Sequence, residues 1–364
     1  EEDDCSHAGK KASTVPDYGR SPVRGTDMPV TLEHAKDALD KVIRKSRAHC
    51  YKPIQIAEIL HKSRVERNID VKNLESYRNV SKNWRDAIST RLVGNVSTSS
   101  QKYQDDLFNP HAMPPEKLVV LDSVNRARSG VVENYIYHKL RDRWALVISA
   151  YAYIEKSAPI DFSLGHLLSF FGEEAGLRTS IGKVYEIVVH ALFSSIVEAL
   201  QAEVTLELRK PDPEILSDFR DFTSIVLGLD SEETSFSMPA RLYRVGVAHA
   251  ADSGVDIRTN FGPIVQVKHI TLDKDMAEEL AESTTAERIL VVCEDADKEV
   301  IDLVVRQIGF GKKIQGIITS NDLMRWYDLA LRKHETRIGR NLLTSLAREF
   351  EEEFPVVVQI GGFL

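Results

Sequence analysis

The sequence predicts a protein of mixed α/β class, α+β in its order, with an all-α helix-turn-helix-like N-terminal region ahead of a mixed central sheet flanked by helices. Two observations predict it. Apolar residues recur at helical spacing from Leu32 to about Gln201, and from Val204 the period shortens to two, with helical stretches between extended runs as far as Thr319. At 364 residues and 43% hydrophobic content, the chain is long enough for two or three ordinary cores.

Residues 1–30 mix Gly, Ser, Pro and charge without apolar periodicity, and read as a flexible arm. From Thr31, a candidate N-cap, Leu32, Ala35, Ala38, Leu39 and Ile43 mark a first helix. Pro53 opens a second over Ile54–His61, and a third is expected over Val71–Thr90. Three such helices suggest a helix-turn-helix over residues 31–110, with the Ser- and Thr-rich run Asn95–Gln101 as a wing or turn. Residues 111–364 would form the second domain. Its first part is helical scaffold, such as Ala145–Ile154, and ends in a helix over Ile181–Gln201 whose stripe is Val184, Ile187, Val188, Leu192 and Ile196, with Glu186 the one acid in its first two turns. A mixed sheet should begin at Val204–Leu208 and continue with an extended run near Arg241, a strand over Ile264–Ile270, a helix over Asp275–Ser283, and strands over Arg288–Cys293 and Ile314–Thr319.

Charge is unevenly placed. The net charge is -8, yet Lys41–Arg91 holds 13 Lys or Arg against 5 Asp or Glu, a surplus of eight, leaving the rest of the chain sixteen negative. A basic window on predicted helices is either a solvated face or a phosphate-binding one, and Lys72, Arg78, Lys82 and Arg85 are the candidate DNA contacts. Cys5, Cys50 and Cys293 stand far apart, without the spacing of a zinc site, and read as reduced thiols. No run of about 18 apolar residues and no secretory leader pattern occurs, so a cytoplasmic location without a membrane partner is expected.

The most informative segment is Gly254–Ile270. Asn260-Phe-Gly-Pro263 is a turn between two β-rich arms, and folding about it brings Asp256 opposite Gln266 and Val267. Because strand side chains alternate, Gln266 and Lys268 project together, placing an acid, an amide and an ammonium on one patch. Such a patch suits phosphodiester hydrolysis: Asp256, the Gln266 amide oxygen, the Val267 carbonyl and Glu186 would share a Mg2+ ion, which prefers oxygen ligands and keeps several waters, and Lys268 would orient the attacking water. Asp followed by Gln-x-Lys also occurs in ordinary hairpins. The order of elements, a helix with Glu186, strands with Asp256 and with Gln266 and Lys268, then a helix and a strand, raises the weight of the chemical reading, and resembles the PD-(D/E)XK nuclease core. Arg244, Arg258 and Asn260 lie near the centre as weaker candidates for contacting bases; His249 and His269 have no metal-site spacing, and Gly309-Phe-Gly-Lys-Lys313 lacks the phosphate-loop pattern.

Longer runs resemble the HaeII family of type II restriction endonucleases: Pro239–His269, Tyr51-Lys-Pro-Ile-Gln-Ile-Ala-Glu-Ile-Leu60, Ser97-Thr-Ser-Ser100 and Tyr103-Gln-Asp-Asp-Leu107. The similarity extends from about residue 33 to the C-terminus. It implies a homodimer that cuts both strands of a short GC-rich palindrome, RGCGCY in the family prototype, since a two-fold protein matches a two-fold site. Gln266 stands where the broader nuclease pattern has Glu or Asp, and Val255 where it has Pro. Two other functions stay open at this point: a DNA-binding regulator that does not cut, and a junction-resolving nuclease.

Overall fold

The computed structural model describes residues 30–97, 105–172, 174–178, 180–245, 255–306 and 313–359. Helices come first: α1 (Leu32–Lys45), α2 (Tyr51–Val65), α3 (Val80–Val93), α4 (Pro115–Ala127), α5 (Val131–Lys156), α6 (Leu164–Gly172) and α7 (Ile181–Ala199). Thr31 caps α1, its side-chain oxygen accepting from the His34 N–H at 3.2 Å, as the sequence leads one to expect. Pro53 sits in the first turn of α2, where its missing N–H costs no helical hydrogen bond. α2 runs longer than its apolar stretch suggests because Ile54–Leu60 is buried on every side, and its two polar residues are paired. Gln55 donates to Ser81 Oγ at 2.9 Å, and Tyr137 donates to Glu58 Oε1 at 2.8 Å. α3 starts at Val80 rather than Val71, because residues 71–79 form turns and a short 3-10 segment fastened by Asp70 and Asn73 side chains.

The extended half has two separate sheets. β1 (Glu203–Glu207) pairs antiparallel with β2 (Ser235–Pro239) in a two-stranded ribbon. β3 (Leu242–Arg244), β4 (Ile257–Thr259), β5 (Ile264–Leu272), β6 (Ile289–Ala296) and β7 (Ile314–Thr319) form a five-stranded sheet in that order. β3–β4 and β4–β5 are antiparallel, and β5–β6 and β6–β7 parallel. The mixed sheet expected from the sequence is present, but Val204–Leu208 is not its first strand. The alternation there is real, yet the paired partner is a strand the sequence reading passed over, Ser235–Pro239. The turn between β4 and β5 is closed by Gly262 at φ +119°, a conformation glycine adopts without a Cβ penalty, and by Thr259 Oγ1 donating to Pro263 O at 2.7 Å. β6, near-continuously apolar, is buried because helices cover both faces of the parallel part. α8 (Lys274–Ser283), capped by Asp273, and α9 (Lys298–Val305) cover one face, with Leu272, Leu280, Val291 and Val300 between them and the strands. α7, α10 (Ser320–Asp328) and α11 (Arg340–Glu353) cover the other, against Val265, Val267 and Val292.

That second core is continuous from Ala35 in α1 to Val357, so the N-terminal helices and the sheet share one apolar interior. α5 threads it with Ile136, Leu140, Trp144 and Val147, each such large apolar side chain contributing about 1.5–3 kcal/mol of transfer free energy, and with the smaller Ala150. Among the described residues, no helix is long and apolar enough to cross a membrane.

Candidate active site

Ile257 pairs with Val265 across the hairpin of β4 and β5, which brings Asp256 beside the Gln266–Val267 stretch of β5. Two backbone contacts lock this register: the Asp256 N–H donates to Val265 O at 3.2 Å, and the Val267 N–H donates to Asp256 Oδ2 at 2.8 Å. Burial pushes the Asp256 carboxyl above its ordinary range, against the pull of the Val267 N–H and of the Lys268 and Lys183 charges.

Glu186 belongs to the same charge cluster although it comes from α7. Its carboxylate is buried, and burial raises its pKa to about 7; Lys183 opposes the rise, while Asp256 and Glu353 add to it. Lys183 Nζ donates to Glu186 Oε2 at 2.7 Å. Sequence reading missed Lys183, although it lies three residues before Glu186 and so on the same helical face. One buried and one half-buried acid with raised affinity for protons, near two lysines, form a constellation that no purely structural ion pair requires.

Gln266 is 1% exposed. Its Nε2 donates to Thr284 Oγ1 at 3.1 Å, which fixes the amide orientation, and its Oε1 is buried without a hydrogen-bond partner. A buried amide oxygen left unpaired costs about 1–3 kcal/mol, so an electrophile that satisfies it is favoured. A divalent cation fits this donor set: two carboxylates of raised proton affinity and one orphaned amide oxygen are hard oxygen donors. Among the described residues, no group of three or more His, Cys, Asp or Glu is placed to hold a metal ion.

The other predicted residues are placed unequally. Arg258 is exposed on β4, directly opposite Tyr243 of β3, itself 52% exposed. Asn260 fastens the turn: its Oδ1 accepts from the Arg241 N–H at 2.8 Å, and its Nδ2 donates to Pro239 O at 3.0 Å. Arg244 is interior. Its Nε donates to Glu349 Oε2 at 3.0 Å and its Nη1 to Glu353 Oε2 at 2.6 Å, while His190 Nδ1 lies 3.2 Å from Glu349 Oε1. Burial would raise Glu349, but His190 and Arg244 hold it down at about 2. In this conformation Arg244 braces β3 against α11 and offers no surface to DNA. Arg85 is likewise 2% exposed and bonded to Asp86, so it supports α3 from inside. Lys82 and Arg78 both pair with Asp105, at 2.8 and 3.4 Å, and Lys72 is exposed. His269 packs edge-on against Tyr185 at 4.5 Å, a packing contact. His249, most of the Asn95–Gln101 segment and most of Gly309–Lys313 lie outside the described residues.

An acid, an amide and a lysine thus stand together on the hairpin of β4 and β5 in the mixed sheet, with α7 bringing Glu186 into the field of the acid. Comparison by sequence gives the class. A model of the HaeII restriction endonuclease family matches residues 35–363, nearly the whole chain, and the protein belongs to that family. It is thus an enzyme of the type II restriction endonuclease class, the site-specific deoxyribonucleases. Similar relatives include the type II restriction enzyme HaeII of Haemophilus aegyptius, 47% identical over 89% of this chain and 92% of the relative. Another is the type II restriction enzyme NgoBI of Neisseria gonorrhoeae, 43% identical over 93% and 96%. No solved structure matches.

Proposed function

We propose that the protein is a Mg2+-dependent endonuclease that hydrolyses both strands of DNA at a short palindromic, GC-rich site of the RGCGCY kind, as a cytoplasmic homodimer, with a PD-(D/E)XK-like core. One observation carries the catalytic part of this reading. The half-buried Asp256 and the buried Glu186 are acids held above their ordinary range, and Gln266, in the strand that Asp256 pairs beside, has a buried Oε1 without a partner. Asp256, Glu186, Gln266 and the Val267 carbonyl would hold the ion. When bound, it polarises the scissile phosphate and lowers the pKa of a water.

The chain's own groups do the rest. The Val267 N–H fixes the Asp256 carboxylate, and Thr284 fixes the Gln266 amide with its oxygen free. Lys268 positions the attacking water and offsets negative charge on the phosphate. Lys183 keeps Glu186 from carrying an uncompensated buried charge. In this proposal residues 1–30 are a flexible arm, residues 31–110 meet DNA through Lys72 and its basic neighbours, residues 111–364 cut, and Arg258 is the group near the centre available to a base or phosphate. The site preference and the dimer rest on family membership.

The test is plasmid cleavage with Mg2+. Discrete fragments are expected, and mapping their ends reports site and stagger together. Lys268→Ala should abolish cutting, by about a thousandfold or more, while DNA affinity changes little. No cleavage of varied DNA in any divalent ion would sink the reading. The neutral Gln266 favours one alternative, a DNA binder that does not cut, which site-specific binding without cleavage would establish.

A further inference from the structure

Of the 13 Lys and Arg residues in the basic window Lys41–Arg91, the fold commits several to carboxylates. Lys62 pairs with Glu66, Arg64 with Glu133, Arg78 and Lys82 with Asp105, and Arg85 with Asp86. Four others lie together and stay uncommitted. Lys41, Arg44 and Lys45 stand on the last turns of α1 and Arg47 in the loop that follows; all four are exposed, and residues 41–50 contain no Asp or Glu. Among the described residues, none of the four is ion-paired to a carboxylate. Arg44 feels Asp40 one turn earlier, but that carboxylate already accepts from Lys36 and Tyr135.

Such a cluster costs stability unless something answers it. Lys41 and Lys45 are four apart on one helical face and repel each other. The carbonyl end of α1 favours a cation in its last turn, which accounts for Arg44 and Lys45 but not for Lys41 before them or Arg47 beyond. A polyanion laid against the four relieves the repulsion and releases its own counterions.

The place of the 46–50 loop identifies the polyanion. Its backbone is built in: Ser46 O accepts from Arg143 Nη1 at 2.9 Å, Ala48 O accepts from Trp144 Nε1 at 2.9 Å, and the Ala48 N–H donates to Ser180 Oγ at 3.1 Å. Ser180 immediately precedes α7, so the loop abuts the end of α7 that carries Lys183 and Glu186. On its other side His49 Nε2 lies 3.2 Å from the carbonyl oxygen of Glu353, the last residue of α11, whose charge reaches Glu186. The loop thus borders the candidate centre at two of its elements while its cations stay in water.

The six-residue step from Ser180 to Glu186 spans about 9 Å of helix, the axial length of about two or three nucleotides of one DNA strand. We propose that Lys41, Arg44, Lys45 and Arg47 grip the phosphate backbone of the strand being cut, about two or three nucleotides from the scissile phosphate. The assignment rests on the nuclease reading of the Asp256 centre. It makes the end of α1, rather than α3 with its paired cations, the part of the N-terminal helices that sets the register of the duplex, as phosphate contacts do without reading bases.

The test is binding of the full chain to a short duplex containing RGCGCY, measured without divalent ions over a range of salt. The triple variant Arg44→Ala, Lys45→Ala, Arg47→Ala should bind about tenfold or more weakly and lose about 2 to 3 from the slope of log affinity against log salt, each contact contributing about 0.9. Its urea unfolding should stay close to that of the native protein, since the three side chains are exposed. Should it unfold early, the variant Arg44→Lys with Arg47→Lys keeps both charges and must keep the native slope. Replacing single phosphates by neutral methylphosphonates locates the grip: substitutions about two or three nucleotides from the cut should weaken the native protein and leave the triple variant unaffected. An unchanged slope in the triple variant overturns the inference, as does a lost slope in the charge-preserving variant. Coupled phosphates more than about five nucleotides from the cut overturn it too. A chain whose slope falls as expected but which never cuts keeps the phosphate contact and loses the nuclease reading; a chain that cuts, with the slope unchanged in the triple variant, does the reverse.

Discussion

Two buried carboxylates, one in the helical half and one beside the sheet, are treated in opposite ways. Glu133 of α5 accepts from Arg64 Nε at 2.8 Å and Arg64 Nη2 at 3.0 Å, from Asn125 Nδ2 at 2.6 Å, and lies 3.0 Å from His61 Nδ1. Burial would raise it, but these partners hold it down at about 2. Glu186 of α7 has one near partner, Lys183, and burial wins, leaving it at about 7. The first acid is complete and ties α2, α4 and α5 together. The second is under-compensated, in contact with the field of another raised acid, Asp256. A fold gains stability from the first arrangement, whereas the second costs stability.

The contrast can be broken most sharply at its functional pole. Asp256→Asn should reduce cleavage about a thousandfold or more while the protein stays folded, because the amide still accepts from the Val267 N–H but loses the charge that holds a cation. Cleavage retained within tenfold in single-turnover assays would remove Asp256 from the centre. At the structural pole the outcome inverts. Glu133→Gln should cost about 3 kcal/mol in urea unfolding, since it leaves Arg64 and His61 without their counter-charge, and should leave cleavage per folded molecule unchanged.

Linkage to pH sharpens the comparison. A folded pKa of about 2 for Glu133 means stability that is present above about pH 4.5 and lost as pH falls toward 2. A folded pKa of about 7 for Glu186 means the folded state holds a proton that the unfolded chain gives up, so its contribution is favourable below about pH 4.5 and is lost as pH rises through 7. Glu186→Gln should therefore be more stable than the native protein at pH 8, by about 2 kcal/mol, with the gain vanishing by pH 4. A gain that does not depend on pH would mean the buried charge is not its source. The smallest expected effect is at Gln266. Gln266→Glu should tighten Mg2+ binding by about tenfold in calorimetric titration, because a carboxylate replaces a neutral oxygen at a site that already holds two acids. Unchanged affinity would take Gln266 out of the ligand set.

The hairpin around Asn260–Pro263 was legible because its information is local. A turn signal, alternation in the arms and equal arm lengths bring Asp256 opposite the Gln266 and Val267 region, and in the hairpin Ile257 pairs with Val265 while the Val267 N–H donates to Asp256 Oδ2. β5, α8 and β7 were legible for the same reason, the last over the very residues Ile314–Thr319. Val204–Leu208 shows where this stops: its alternation says strand, but the partner strand is chosen by a contact thirty residues away, with Ser235–Pro239. The cations show it again. Arg85 and Arg244 look like DNA contacts in a string of letters, and only packing shows them interior, because Asp86, Glu349 and Glu353 meet them there.

By itself, then, the sequence determined the class of fold, the helix-to-strand order, the hairpin with its acid, amide and lysine, and the family. These follow from periodicity, turn chemistry and long matching runs, all carried by neighbouring residues. Tertiary structure decided what those groups experience. It brought α7 to the sheet so that Glu186 and Lys183 share the field of Asp256, left Gln266 Oε1 without a partner, and merged the N-terminal helices into the main core. Desolvation and counter-charge are sums over residues distant in the chain, and a sequence read locally does not contain them.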